Sequence, residues 1–314
     1  MGLKVGVPGT RTTRPVELHL HHRTDYRYDR PVFLNPHCIR LRPVLTCAAE
    51  IMRYRLKVWP EPVQMGWQRD PLNNQVAQVS FGEPTQSLTL HVNFSVRFVP
   101  SNPFNFVLEP WALQFPFAYP EPMERALRPC LGARHQGQLL SQLVQSFQVP
   151  QSTLDVVLGV NRWVSQNLHY QERMEAGIQE PEETLQLGQA TCRDQAWLAI
   201  HVFRHLGLAA RFVSGYLLPQ RDPYQARIDR VGGGELHAWA EVYLPGAGWV
   251  GLDTTSGVLA SATHIALACA PEPGGTAPLE GNLGYSGETP NVVGFSHHVS
   301  IRTDHSYRKW GQCR

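Results

Sequence analysis

Gly188-Gln189-Ala190-Thr191-Cys192-Arg193-Asp194-Gln195-Ala196 is the stretch on which the reading of this chain turns. Thr191 is a favourable helix N-cap, and Ala196, Ala199, Ile200 and Phe203 recur behind it at helical spacing. Gly207 tolerates the left-handed conformation that ends a helix. Cys192 therefore falls in a first helical turn, where backbone N–H groups lack partners and about half a positive charge gathers. Such a position favours thiolate over thiol and offers donors to an oxyanion. Arg193 adds positive charge next door, and Asp194 partly opposes it. A cysteine is commonly just a small buried hydrophobe. Position alone sets Cys192 apart from Cys38, Cys47, Cys130, Cys269 and Cys313.

A thiolate nucleophile needs an imidazole that can protonate a leaving group. His201 and His205 lie on the same predicted helix, with His201 about 13 Å along it from Cys192. They are expected on the helix surface near its C-terminus, and without an HExxH glutamate they do not make a metal motif. His237 is better placed. In Leu236-His237-Ala238-Trp239-Ala240-Glu241-Val242-Tyr243-Leu244 the apolar residues alternate, which puts His237 on the opposite face with Trp239, Glu241 and Tyr243. Gly232-Gly233-Gly234 before it reads as a mobile loop over a cleft. Asp253, in Gly248-Trp249-Val250-Gly251-Leu252-Asp253, lies an even interval further on, so a hairpin puts both residues on one face. A five-residue connection pairs them directly, and a three-residue connection makes them diagonal; either allows an Asp–His hydrogen bond. Glu241 on the same face is about 13 Å from His237 along its strand. Asp253 is the expected partner.

Outward from this core the chain changes character. Its 314 residues suffice for about two domains, and a 42% hydrophobic content excludes wholesale disorder. Basic and acidic residues, 28 against 26, leave a net charge of +2, too little for a general field that holds nucleic acid or an anionic bilayer. The six cysteines form no CxxC pair, so neither a zinc ribbon nor a thioredoxin-like site is expected. No signal-like or membrane-length apolar run appears, and the plain expectation is a cytoplasmic protein with reduced thiols. Residues 1–15 read as a loose leader. Residues 16–100 alternate with period two (Val16, Leu18, Leu20 against Glu17, His19, His21) and form a β-rich, sandwich-like domain. A Pro- and aromatic-rich connector spans 101–136, an α+β core with a helix leading into an antiparallel sheet spans 137–260, and strands and a tail occupy 261–314. Within the core Leu154, Val157, Leu158, Asn161, Val164 and Leu168 mark one face of a first helix capped by Ser152 or Thr153. His21-His22 and His297-His298 are adjacent in strands, so each pair points to opposite faces and cannot meet on one metal.

Thr191-Cys192-Arg193-Asp194-Gln195-Ala196, Leu208 to Leu217, His237 to Leu244 and Gly248 to Asp253 together resemble the bacterial transglutaminase-like superfamily, in order and spacing, across roughly 145–260. His22 to Tyr28, Leu41-Arg42-Pro43 and, more loosely, Asp70 to Asn74 resemble the β-rich region that often precedes that core. The resemblance implies a papain-like core and places a Cys-His-Asp triad on Cys192, His237 and Asp253. It also implies a cleft role for Tyr170; Trp239 is positioned to shield the Cys–His pair. Trp163 reads as packing rather than as an oxyanion neighbour. Three departures stand out. Asp253-Thr254-Thr255 replaces Asp-Pro-Thr, which is expected to loosen Asp253. Gln195 replaces an aromatic and alters the cleft, and Asn73 stands where glycine is usual.

The expected function is a thiol-dependent hydrolase of amide or peptide bonds that works through an acyl-enzyme, without metal or other cofactor, on a peptide or protein substrate. Two alternatives remain open at this level: transglutaminase-type transfer of the acyl group to an amine, and a non-catalytic binding module that retains the cleft. Substrate identity and oligomeric state are not readable.

Overall fold

The alternation that begins at Val16 becomes a 19-residue strand, β1 (Val16–Leu34), with Leu18, Leu20, His22 and Thr24 buried and the odd-numbered positions between them turned outward. Two more long strands, β2 (Ala49–Trp59) and β3 (Thr85–Phe98), complete an antiparallel run in the order β1-β3-β2. The computed structural model describes residues 15–44, 49–98, 102–173, 177–218, 220–222, 225–228, 231–261, 263–285 and 288–304. The expected leader lies almost wholly outside them.

The other half is built on helices α1 (Gln138–Phe147), α2 (Thr153–Asn167), α3 (Pro181–Leu187) and α4 (Cys192–His205), with a short helix, Glu121–Leu127, ahead of them. Strands β4 (Ala210–Leu217), β5 (Val231–Leu244), β6 (Gly248–Asp253), β7 (His264–Ala270) and β8 (Val292–Asp304) follow. The last strand unites the molecule. β8 pairs with β1 on one side and with the start of β5 on the other, so a single curled antiparallel sheet runs β6-β5-β8-β1-β3-β2, with β4 branching from β5 and β7 pairing with β4. Val299 and Ile301 of β8 join Leu18, Leu20 and Phe94 in one core, while α4 and α2 pack with Ala238, Ala240 and Val242 in the other. The expected fold class, α+β with a helix against an antiparallel sheet and a β-rich part ahead of it, is what is observed.

Several local expectations change. Gly232-Gly233-Gly234 is strand, not loop: Gly232 opposes Ile301, Gly233 opposes Ser300 and Gly234 opposes Val299. A Cβ on Gly234 would lie 2.4 Å from Ile301 Cδ1, so glycine is there for close packing. In α2 the buried stripe is Val156, Val157, Val160, Asn161 and Val164, rotated away from Leu154 and Leu158. In α4 every residue from Asp194 to Arg204 is buried, His201 included, because helices cover the side that a surface helix would leave to water. The Pro/aromatic segment wraps the helix-containing half: Phe115 enters its core, and the Tyr119 hydroxyl donates to the Tyr243 carbonyl (2.8 Å) and accepts from Ala209 N (3.0 Å). Asn73, at the position where glycine is usual, has φ 68°, and asparagine is among the few side chains that adopt that left-handed conformation readily.

Candidate active site

Gly188, at φ 63°, closes α3 and turns the chain into Gln189–Ala190, which pairs in parallel with His169–Tyr170. That short ladder delivers Thr191 to the start of α4. The Thr191 hydroxyl accepts from Asp194 N, and Thr191 N and Oγ1 donate to Asp194 Oδ2 at 2.9 and 2.8 Å. Asp194 is fully buried and also receives Arg173 (2.9 Å) and Gln179 N (2.8 Å). Its charge is thus directed into the cap and Arg173, not toward the sulfur. Cys192, the first helical residue, is half-buried, and its sulfur lies near enough to the His237 ring to raise the imidazole's pKa.

His237 and Asp253 are brought together by the β5–β6 hairpin. Leu244 opposes Gly248 and Ala240 opposes Leu252, so Pro245-Gly246-Ala247 is the three-residue connection and the pair is diagonal. Gly246 and Gly248 both have positive φ, which this tight turn requires. His237 Nε2 donates to Asp253 Oδ1 at 3.1 Å, which leaves Nδ1 for Cys192. Burial pulls the His237 pKa down, but hydrogen bonds to Asp253 and Cys192, with their charges, outweigh it and raise it to about 10. Burial pushes Asp253 up, yet hydrogen bonds and positive charge from His237 and His264 hold its carboxyl well below the usual range. Glu241 is excluded as a partner by its 2.7 Å ion pair with Arg211.

The threonine that replaces the usual proline does not loosen Asp253. Its Oδ1 also accepts from Thr255 N (3.0 Å) and Thr255 Oγ1 (2.8 Å), and its Oδ2 from Ser256 Oγ (2.8 Å) and His264 Nε2 (3.3 Å). His264 is the residue that sequence reasoning missed. Its Nδ1 accepts from Ser261 N (3.3 Å), which leaves the ring proton on Nε2, facing Asp253. No spacing rule could have found it, because β7 pairs with β4 through a register shift between Ser214 and Gly215. His237, Asp253 and His264 present ligand atoms within 4.8 Å of one another. A metal ion could enter there only by displacing the His237–Asp253 hydrogen bond.

Of the three expected substrate contacts, Tyr170 is 43% exposed beside Cys192, and burial with the nearby negative charge of Cys192 and Glu235 pushes its hydroxyl to about 12. Trp239 and Gln195 are buried at 2% and 1%, so neither offers surface to a ligand. Trp239 instead stacks with His237 (centroids 6.4 Å apart, 28° between planes) and meets His264 edge-on at 5.3 Å. Gly215 makes room for it, since a Cβ there would lie 2.4 Å from the indole. Gln195 points into the helical core with its Oε1 unpartnered. Trp163 packs against the same core.

Comparison with known proteins agrees with this architecture. Residues 18–97 match the model of the bacterial transglutaminase-like N-terminal region, and residues 141–254 match that of the transglutaminase-like superfamily core. Uncharacterized proteins of Mycobacterium bovis and Mycobacterium tuberculosis are each 26% identical over 284 residues, spanning 88% of this chain and 90% of their own. The crystal structure of a candidate cysteine protease from Cytophaga hutchinsonii shares the fold at a TM-score of 0.69 and 17% identity, covering 96% of this chain and 95% of that one. The chain belongs to the transglutaminase-like superfamily, with the bacterial transglutaminase-like N-terminal region ahead of its core.

Proposed function

We propose that this protein is a thiol-dependent hydrolase of amide or peptide bonds, with Cys192 as nucleophile, His237 as proton carrier and Asp253 as the group that orients His237. The observation that carries this reading is His237 bound to Asp253 at 3.1 Å through Nε2, beside a Cys192 at the mouth of a helix whose sulfur raises the ring's pKa. At neutral pH a His237 pKa near 10 keeps the imidazolium beside Cys192, which in this reading attacks as the thiolate that a helix N-terminus favours. A C–S bond forms as the carbonyl oxygen becomes anionic; the backbone N–H of Cys192, unpaired within its helix, faces that charge. Collapse breaks the C–N bond, and the His237 proton leaves on the amine. Water then attacks the thioester while His237 takes its proton, and departure of the acid restores the ion pair. Tyr170 borders the approach to the sulfur.

Hydrolysis is preferred to transamidation because water is always present and no acceptor-amine site is evident. Incubation with a mixed peptide library, with and without a primary amine, tests the reading by mass spectrometry. New peptide termini or deamidated glutamines that vanish in Cys192→Ala are expected. Amine incorporation that outruns hydrolysis reverses the preference. Equal output from wild type and Cys192→Ala, with Cys192 no faster to react with iodoacetamide than Cys38 or Cys130, leaves a non-catalytic module.

A further inference from the structure

The outer face of the sheet carries a pattern that the site above does not use. Across β8, β1, β3 and β2 the register aligns Arg302, His19, Ser95 and Arg53 in one row, and Ser300, His21, Asn93 and Arg55 in the next. A third row is His298, Arg23, His91 and Lys57. These twelve positions hold five cations, four histidines and no carboxylate. Arg23 is bound by Asp25 of the following row at 2.6 Å. Arg302, Arg53, Arg55 and Lys57 have no carboxylate partner among the described residues. On the same face, in the row beyond His19 and Ser95, Glu17 and Glu50 are engaged by Arg97, at 3.7 and 3.9 Å, and Glu17 also lies 3.9 Å from His19. A chain with a net charge of only +2 therefore concentrates four unpaired cations on one sheet face.

That face is also hollowed. A groove of about 870 Å³ runs between His19, His21, Arg53, Arg55, Ser300 and Arg302. It meets, at Arg53 and Tyr54, a second cavity of about 470 Å³ around the sheet edge. Arg42 and Arg69 line that cavity, Arg42 stacked 5.2 Å from Tyr54 and 5.3 Å from Trp67. The Tyr54 hydroxyl has no hydrogen-bond partner. Neither hollow is lined by an acidic residue.

The decisive feature is where the face leads. Ser300 opposes Gly233 of β5, so the row of His21 and Arg55 continues onto the strand that carries His237. Gly233, Glu235 and His237 alternate on one side of β5, and Gly233 and His237 are about 13 Å apart along it. Among the described residues a Cβ on Gly233 would meet nothing nearer than a backbone oxygen at 4.0 Å, so glycine leaves the strand low at that point. Glu235, exposed, is the carboxylate on this path.

We propose that this face binds an acidic segment of the polypeptide on which the enzyme acts, lying across β2, β3, β1 and β8 and leading the scissile region over Gly233 to Cys192. The inference rests on the hydrolase reading for its direction and names the substrate class: polypeptides with an acidic stretch beside the bond processed. Charge complementarity chooses an anionic occupant, and the shared sheet face with His237 chooses a polypeptide over other polyanions.

Binding is read separately from turnover in Cys192→Ala protein. Fluorescence anisotropy compares a Glu/Asp-rich peptide of about a dozen residues, long enough to cross the four strands, with its Gln/Asn counterpart, a single-stranded oligonucleotide of equal charge, and anionic phospholipid vesicles. The acidic peptide is expected to bind at least about tenfold more tightly than its neutral counterpart, and to weaken by about tenfold or more between ~50 and ~300 mM salt. Arg53→Glu combined with Arg55→Glu, both exposed and so compatible with folding, is expected to abolish the preference. Equal affinity for both peptides, or indifference to the charge reversals, overturns the proposal. Tighter binding of the oligonucleotide or the vesicles overturns its assignment to a polypeptide. Inert Cys192 with acidic-peptide binding preserved would instead defeat the hydrolase reading alone.

Discussion

Asp253 accepts from five donors, two of them imidazoles, and this crowding sets what each substitution does. Asp253→Asn removes the charge that steadies His237 and is expected to lower peptide turnover by about a hundredfold or more. His264→Ala leaves four donors in place and is expected to cost about tenfold, with His264→Gln recovering part of it by restoring an N–H. Equal losses from His264→Ala and His264→Gln would show that His264 does not act through its hydrogen bond to Asp253. The same geometry has a pH signature. A pKa raised from its ordinary 6.5 to about 10 means that the native state holds the His237 proton more tightly than the unfolded chain. Its stabilising contribution is complete below about pH 6.5 and disappears as pH rises through about 10. NMR titration of the His237 ring should find it protonated at pH 8.5 in the wild type, and near its ordinary value in Asp253→Asn combined with Cys192→Ala. An ordinary titration in the wild type would contradict the ion pair.

At the level of elements, the helix that carries Cys192 and the β5–β6 hairpin were legible because their signals are local. Thr191 and Asp194 form a capping box three residues apart, and an even interval with a Gly-containing turn leaves His237 and Asp253 few ways to miss each other. His264 was not legible, since a bulge between Ser214 and Gly215 decides which way β7 presents it. Nor was the burial of α4. Amphipathic spacing predicts one covered face, whereas polar residues enter the core here with their own reasons: Arg204 donates to the Ala210 carbonyl at 3.0 Å, and His201 is wedged against Trp197 and His135 rings at 4.3 and 4.4 Å. His201 finds no hydrogen-bond partner, and burial, with the positive charge of His135 and Arg204, lowers its pKa to about 3. Its native ring is neutral while the unfolded ring protonates near 6.5, so stability must fall as pH drops through that window. The expected loss is about 2–3 kcal/mol between pH 6.5 and 4.5, with His22, lowered to about 4, adding its share. Urea unfolding at the two pH values, compared with His201→Phe, checks it; an unchanged pH slope in the variant would rule His201 out.

Over the whole molecule the division into a β-rich part and a catalytic-type part hides the strand that joins them. Residues 261–314 read in the sequence as strands and a tail, yet β8 lies at the centre of the sheet, bonded to β1 and to β5. Period-two alternation is present in Val299, Ser300, Ile301 and Arg302, but nothing local says which of two distant strands they pair with; that depends on contacts more than 60 residues away in sequence. Val299 and Ile301, 3% and 0% exposed, supply the side chains that seal the β-rich core beneath this junction, and Gly234 is kept small by Ile301. Removing 292–314 would bare both edges of a long sheet at once, and the truncated chain is expected to be recovered as aggregate. Ile301→Ala is the milder probe. It should cost about 2–4 kcal/mol by cavity formation, and because β8 touches both halves it should lower one shared unfolding transition. If the β-rich half alone melted early while intrinsic fluorescence of the buried Trp239 held to the wild-type temperature, the sheet would not be the cooperative unit that its hydrogen bonding indicates.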